Sequence, residues 1–362
     1  MRKNIPLSKP YFTDELGEIE NVLKSGWLAH GDYNKMFEKA FAFRHETKHA
    51  ITMNSCASAL QIALEVQEWD PNKNEVIVPS FTWSASANAI VAAGYKPVFC
   101  DVEWYTGNVT ANHIKPHITK HTRAIMVVHF AGQPCVMKPI MDLASEYGLI
   151  VIEDSAETIG AFYDGEYAGN MGHIGCFSFF PTKNMTTGEG GMLITNNDLI
   201  ADKARTMISH GIERKKPHYK ETTTKGYNFR MSNLNAAIGY SQLKKLSKMN
   251  DMRRKIADVY DEKLIDYVQI PIVKTDHVYQ MYNIRVEFDR DEIVSKLNKK
   301  GIGASVHFDP PVHKHPFYNH DVVLPNAERL SKQIISLPMY CDMTEEEVNY
   351  VVDGVIECFD GE

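Results

Sequence analysis

Long apolar runs are absent from this chain: nowhere in its 362 residues do about 18 consecutive apolar residues occur, the length a membrane-spanning helix needs. The opening Met1-Arg2-Lys3-Asn4-Ile5-Pro6 has no apolar core of the kind a signal peptide carries. An excess of positive charge is missing too. Lys and Arg number 39 against 46 Asp and Glu, and the formal charge of -7 argues against a surface built to hold nucleic acid. The six cysteines, at 56, 100, 135, 176, 341 and 358, form no Cys-x-x-Cys pair. Some lie in apolar, strand-like runs, so reduced, mostly buried thiols in a cytoplasmic protein are expected. His113, His117 and His121 stand at helical spacing, but Pro116 interrupts the helix they would need, and they are expected to be solvated surface residues with no metal between them.

What the chain does contain is strands alternating with helices. Strand-like runs occur at 50–53, 75–79, 97–100, 124–129, 149–152 and 192–195, with helical patterns at 59–66, 84–93, 137–147 and 197–209. The alternation indicates an α/β fold with a mostly parallel central sheet covered on both faces, whose ligands lie beyond the strand C-termini. Ahead of the first strand, a helical pattern through Glu15, Ile19, Val22 and Leu23 stops at Ser25-Gly26. The polar stretch 211–225 reads as a mobile loop. A roughly helical apolar period over 235–264 predicts one long connecting helix. Two domains follow, a large one at 1–245 and a smaller α+β one at 246–362 with strands near 268–272, 282–286 and 304–307.

The chemistry concentrates in a few stretches. Gly175-Cys176-Phe177-Ser178-Phe179-Phe180-Pro181-Thr182-Lys183, followed by Gly188-Glu189-Gly190-Gly191, carries a buried strand into an irregular turn that holds a lysine. Lysine is the side chain that condenses with carbonyls, and pyridoxal phosphate is the commonest cofactor to offer one. At its ordinary pKa of about 10.4 such a lysine is protonated, so a nucleophilic role requires desolvation or a cationic neighbour. The run 149–152 ends in Glu153-Asp154, at a strand terminus where a carboxylate can face a ligand. Asn54-Ser55-Cys56-Ala57-Ser58 opens a helix whose unpaired N–H groups and positive dipole end suit a phosphate, although any capped helix shows the same pattern. Trp83, after Ser80-Phe81-Thr82, reads by itself equally well as a core tryptophan, and so does Trp27.

Ser178-Phe179-Phe180-Pro181-Thr182-Lys183-Asn184 with Gly188-Glu189-Gly190-Gly191 resembles the cofactor-lysine segment of the DegT/DnrJ/EryC1/StrS family of pyridoxal-phosphate sugar aminotransferases. Further motifs follow the family's order from Ser25-Gly26-Trp27-Leu28 to Leu337-Pro338-Met339. The resemblance implies an aspartate-aminotransferase-like (fold type I) large domain, with Lys183 as the catalytic residue. It implies a cofactor held by Lys183, by the Ser55, Cys56 and Ala57 turn around its phosphate, by Trp83 over the ring, and by Ser178. The usual threonine of that turn is replaced by Ala57. Asp154 would face the pyridine nitrogen and keep it protonated, so that the ring accepts electrons. Glu157 stands where the family commonly has histidine or glutamine near the phenolic oxygen, which a glutamate repels unless it is protonated or bridged by a donor.

Gly226-Tyr227-Asn228-Phe229-Arg230-Met231-Ser232 resembles a motif whose asparagine reaches the cofactor phosphate of a partner subunit, which implies a homodimer with shared sites. Trp27, Arg230 and His307, with His313 near the last, are placed by the resemblance at the substrate. The implied reaction moves an amino group from L-glutamate to a nucleotide-diphospho keto-sugar. A 4-keto-6-deoxy sugar is expected, giving a 4-amino-4,6-dideoxy product for surface polysaccharide, and amination at C3 is the alternative. A dehydratase branch of the family replaces the lysine by histidine, which Lys183 speaks against. A regulator that only binds cofactor or sugar is the remaining alternative.

Overall fold

In a computed structural model that describes residues 4–67, 70–216, 219–287 and 289–359, seven strands build one sheet. They are β1 (His49–Met53), β2 (Glu75–Pro79), β3 (Lys96–Cys100), β4 (Thr122–Val128), β5 (Ile150–Asp154), β6 (Ile174–Ser178) and β7 (Gly191–Thr195), in the order β1-β7-β6-β5-β4-β2-β3. Only β7 runs against the others, pairing antiparallel with both β1 and β6. From β6 to β3 every pairing is parallel, with Val128 opposite Asp154 and Asp154 opposite Cys176.

The strands are near-continuous apolar runs because both faces are covered. Val76 and Val78 of β2 pack with the helices Cys56–Glu65, Ser84–Ala92 and Asp198–Met207 on one face. Ile77 points to the other, where Ile140 and Leu143 of the helix Met137–Tyr147 meet it. Each such side chain, fully buried, contributes about 1.5–3 kcal/mol. A second core gathers Tyr260, Leu264, Tyr282, Ile284, Leu297 and Val351 around the antiparallel pair Tyr282–Arg285 and Ile334–Leu337. Ile5 of the lead-in joins it by bridging to Ile302. Met281, Val312 and Leu330 reach back from the C-terminal part of the chain into the first core.

Several local expectations are corrected. The stretch read as a mobile loop pairs Ile212–Lys216 with Tyr219–Thr222 as an antiparallel ribbon. The sequences of its two strands carry no apolar alternation to betray it. The single long helix is two, Asn233–Lys244 and Leu246–Leu264, broken at Lys245 (φ -111°, ψ 6°). The break lets the first pack against the helices Glu15–Ser25 and Asp32–Arg44 while the second enters the other core. Expected strands at 268–272 and 304–307 are single bridges, Gln269 to Arg285 and Ser305 to Ser336. The helix Asp32–Arg44 was not foreseen, although Phe37 and Phe41, four apart and fully buried, carry its signal. The cysteines are free as expected, and only Cys358 is less than buried.

His45 caps that helix, stacked on Phe41 at a ring-centroid distance of 4.0 Å, with Nδ1 donating to the Phe41 carbonyl at 3.1 Å. Burial pushes its pKa down to about 3. The unfolded chain binds this proton near pH 6.5, so the neutral ring's contribution is complete above that pH and is lost as pH falls toward 3, by about 1.4 kcal/mol per unit. Urea unfolding at pH 7 and pH 5 should show His45→Phe losing about 2 kcal/mol less stability than the parent between the two. Equal losses would remove His45 from the acid response.

Candidate active site

Parallel strands deliver their C-terminal ends to one edge, and here β2, β4, β5 and β6 open on a cavity of about 400 Å³. Asp154 closes β5 and lies buried at its base. Its Oδ2 accepts from Ser86 Oγ at 2.7 Å and its Oδ1 from the Ala156 amide at 3.2 Å, with Cys56 Sγ 3.9 Å away. Burial raises its pKa above the ordinary carboxylate value, while the Ser86 and Ala156 bonds pull it back. Glu153, one residue earlier on the strand, points the other way. It accepts from the amides of Gly169 and Gly172 and from His129 Nε2 at 2.8 Å, so it braces the fold and takes no part in the cavity.

Lys183 projects into the same cavity from the turn after β6. The turn is closed by Lys183 N to the Phe180 carbonyl at 2.9 Å and Thr187 N to the Phe179 carbonyl at 3.0 Å, with Gly188 in the left-handed region (φ 82°). From outside, Gln280 Nε2 donates to the Thr182 carbonyl at 3.1 Å, and Asn184 Nδ2 bonds Asn250 Oδ1 and the Val278 carbonyl, each at 2.8 Å. Lys183 Nζ meets Glu157 Oε1 at 3.1 Å, and Glu157 Oε2 accepts from the Ala131 amide at 2.8 Å. Glu157 therefore accepts from two donors, one on each carboxylate oxygen.

Ser55 caps the helix Cys56–Glu65, its Oγ accepting from Ser58 N at 3.1 Å. The first amides of that helix, at Cys56 and Ala57, have no preceding turn to bond and border the cavity. Ser178, also lining it, receives Phe180 N at 3.4 Å, a bond that leaves its own proton free. Trp83 is 65 % exposed at the mouth, 6.4 Å from Phe308, and is not a core tryptophan. His307 lines the wall, tied through Nδ1 to Ser336 Oγ at 2.7 Å, and burial lowers its pKa.

Other expected residues lie elsewhere. Trp27 is 62 % exposed, donating to the His30 carbonyl at 3.0 Å, and is neither in a core nor at this cavity. Asn228 and Arg230 bond one another at 2.9 Å outside the cavity of their own chain. His313 is fully buried between Ser80 Oγ and Glu328 Oε1, a tie within the fold. Sequence reasoning overlooked Thr82, Ser86 and Gln280, which line the cavity; only the hydroxyls' spacing at a helix start hinted at the first two.

A buried strand-end carboxylate, a lysine in a glycine-flanked turn and a free helix N-terminus around one cavity suit an α/β enzyme that uses pyridoxal phosphate. Residues 12–356 match the DegT/DnrJ/EryC1/StrS aminotransferase family, to which the chain belongs. It is 36 % identical to the spore coat polysaccharide biosynthesis protein SpsC of Bacillus subtilis, over 99 % of this chain and 97 % of that one. It superimposes with a TM-score of 0.96 on Helicobacter pylori PseC, an aminotransferase involved in the biosynthesis of pseudoaminic acid, at 29 % identity over 99 % of this chain and 100 % of the other. S. venezuelae DesV, solved in complex with a ketimine intermediate, matches with a TM-score of 0.93 at 31 % identity over 99 % of both chains. The protein is a fold type I, pyridoxal-phosphate-dependent sugar aminotransferase.

Gly191 of β7 brings the sheet against the Ser55–Cys56 turn. A Cβ there would lie 2.4 Å from the Ser55 carbonyl carbon and 2.6 Å from Cys56 N, backbone that cannot yield as a side chain would. Gly191→Val should therefore displace the turn, lowering stability by about 1–3 kcal/mol and weakening pyridoxal phosphate binding at least about tenfold. Denaturant unfolding and fluorescence titration read the two effects; an unchanged affinity would separate this turn from the cofactor.

Proposed function

We propose that this enzyme transfers the amino group of L-glutamate to C4 of a nucleotide-linked 4-keto-6-deoxy sugar, releasing 2-oxoglutarate and a 4-amino-4,6-dideoxy sugar nucleotide. The observation that carries the reading is the convergence of Lys183 and Asp154 on one cavity. The likeness to a spore coat polysaccharide biosynthesis protein and to an aminotransferase of pseudoaminic acid biosynthesis supports a surface-glycan role.

In this reading Lys183 would hold the cofactor, the Cys56 and Ala57 amides with Ser55 and Ser178 would receive its phosphate, Trp83 would stack on its ring and Asp154 would pair with its nitrogen. When bound, the cofactor supplies an electron sink for the carbanion at the donor carbon. Lys183 Nζ takes the proton from that carbon and later delivers one to the sugar carbon, general acid–base work worth about 10² to 10⁴ in rate. Glu157, accepting from Lys183 Nζ, keeps the amine within reach of both positions when it is free. His307 stands on the wall where the sugar enters.

The reading includes a homodimer. Asn228 lies outside its own chain's cavity, and we assign it to the cofactor phosphate of the partner subunit. We further read 1–245 as the cofactor-binding domain and 246–362 as the smaller one, whose inner face, through Met281, Val312 and Leu330, packs on the first. A cytoplasmic location goes with it: the six cysteines are free, and among the described residues no helix is long and apolar enough to cross a membrane.

Incubation with glutamate and a panel of UDP-, dTDP- and GDP-linked 4-keto-6-deoxy sugars should yield one amino sugar nucleotide, identified by mass and by the carbon that bears nitrogen. Amination at C3, or dehydration without nitrogen gain, refutes the proposed regiochemistry or reaction. Separately, borohydride treatment of the cofactor-loaded enzyme should fix the cofactor to the peptide holding Lys183. Lys183→Ala should lose this labelling and transamination while unfolding like the parent. Labelling of any other lysine overturns the assignment.

A further inference from the structure

The contacts of Asp154 do not end at Ser86. Thr82, in the turn after β2, and Ser86, in the first turn of the helix Ser84–Ala92, are 2 % and 1 % exposed and both line the cavity. Thr82 Oγ1 lies 2.9 Å from Ser86 Oγ, which lies 2.7 Å from Asp154 Oδ2. A hydroxyl owns one proton and a carboxylate only accepts, so the Ser86 proton is committed to Asp154 and Ser86 in turn accepts from Thr82. With Asp154 ionised the chain has one direction, Thr82 to Ser86 to Asp154.

A serine or threonine at a helix start ordinarily bonds the helix's own free amides. Here no side chain caps the helix at Trp83: the Ser86 hydroxyl is turned to the carboxylate and the Thr82 hydroxyl to Ser86. Among the described residues Ser86 is the one hydrogen-bond donor to Oδ2, while the Ala156 amide and the Cys56 thiol face Oδ1. The charged and titratable groups around Asp154 are Lys183, which favours its anion, and Glu157, which opposes it. The thiols of Cys56 and Cys176 are held neutral by burial.

A buried carboxylate beside a pyridine nitrogen shares one proton with it. Burial alone favours the neutral pair, with the proton on the acid, and donors on the carboxylate favour the charged pair, with the proton on the ring. We propose that Thr82 and Ser86 are positioning residues whose hydroxyl relay holds Asp154 as an anion and so keeps the proton on the cofactor's ring nitrogen. Aligned hydroxyls in a dry site polarise one another, so Thr82 strengthens the Ser86 bond. This rests on the reading of Asp154 as the nitrogen's partner.

The test is ¹⁵N NMR of the enzyme loaded with pyridoxal phosphate labelled at the ring nitrogen, followed against pH in the parent and in Ser86→Ala, Ser86→Thr, Thr82→Val and Asp154→Asn. In Ser86→Ala the midpoint for ring-nitrogen protonation should fall by about one unit, a tenfold change. Thr82→Val should move it the same way by less, and Ser86→Thr, which restores the hydroxyl, should keep the parent's midpoint. The kcat of Ser86→Ala should fall about tenfold with KM for the amino donor near the parent's. An unchanged midpoint in Ser86→Ala, with Asp154→Asn lowering it, overturns the relay alone. No change in Asp154→Asn overturns the assignment of Asp154 and the relay with it. Should Ser86→Ala fail to fold, the isosteric Thr82→Val, one bond further from the carboxylate, decides the question.

Discussion

A carboxylate at the end of a buried strand must be met by donors or give up its charge, and the edge of this sheet is arranged around that requirement at Asp154. Three neighbours from three segments meet it: Ser86 from the helix after β2, Ala156 from the turn after β5, and Cys56 from the helix after β1. Parallel strands make this possible because each ends at the same edge and hands the chain to a turn there. The adjacent acid shows the alternation of a strand at work: Glu153 faces the opposite side, satisfied by two glycine amides and His129.

Lys183 depends on more distant parts of the chain. Its turn carries no regular structure, and its shape is imposed by Gln280, Val278 and Asn250, all well beyond the sheet. Segment 278–281 thereby couples the second core to the turn, since Tyr279 packs in that core while Met281 packs against the first. Glu157 completes the link, its carboxylate shared between the lysine and the Ala131 amide, which a left-handed residue (φ 59°) in the turn after β4 presents. Its charge is thus met on both oxygens by donors of the protein itself.

Much of the fold was legible because its elements are local patterns. Apolar runs marked the strands of the main sheet, the helix Met137–Tyr147 was visible to the residue, and Lys183, Asp154 and Ser178 stood out as strand-end chemistry. The misses have a common cause. The ribbon pairing Ile212–Lys216 with Tyr219–Thr222 has no apolar alternation in its sequence, and the break at Lys245 follows from two cores pulling one helical pattern apart. Thr82 and Ser86 looked like ordinary helix-start residues, and nothing local tells a cap from a relay aimed at a carboxylate 68 residues away.

By itself the sequence determined the layered α/β architecture, the lysine-bearing turn and the family, because hydrophobic period and short motifs are written along the chain. Tertiary structure decided which polar groups meet: that Glu157 holds Lys183, that Glu153 turns from the cavity, that His313 is spent on Ser80 and Glu328, and that Asp154 is met by the Ser86 hydroxyl from the helix after β2. A side chain's chemistry is intrinsic, but its partners are set by strand order and by the packing of distant segments, which leave no mark on neighbouring residues.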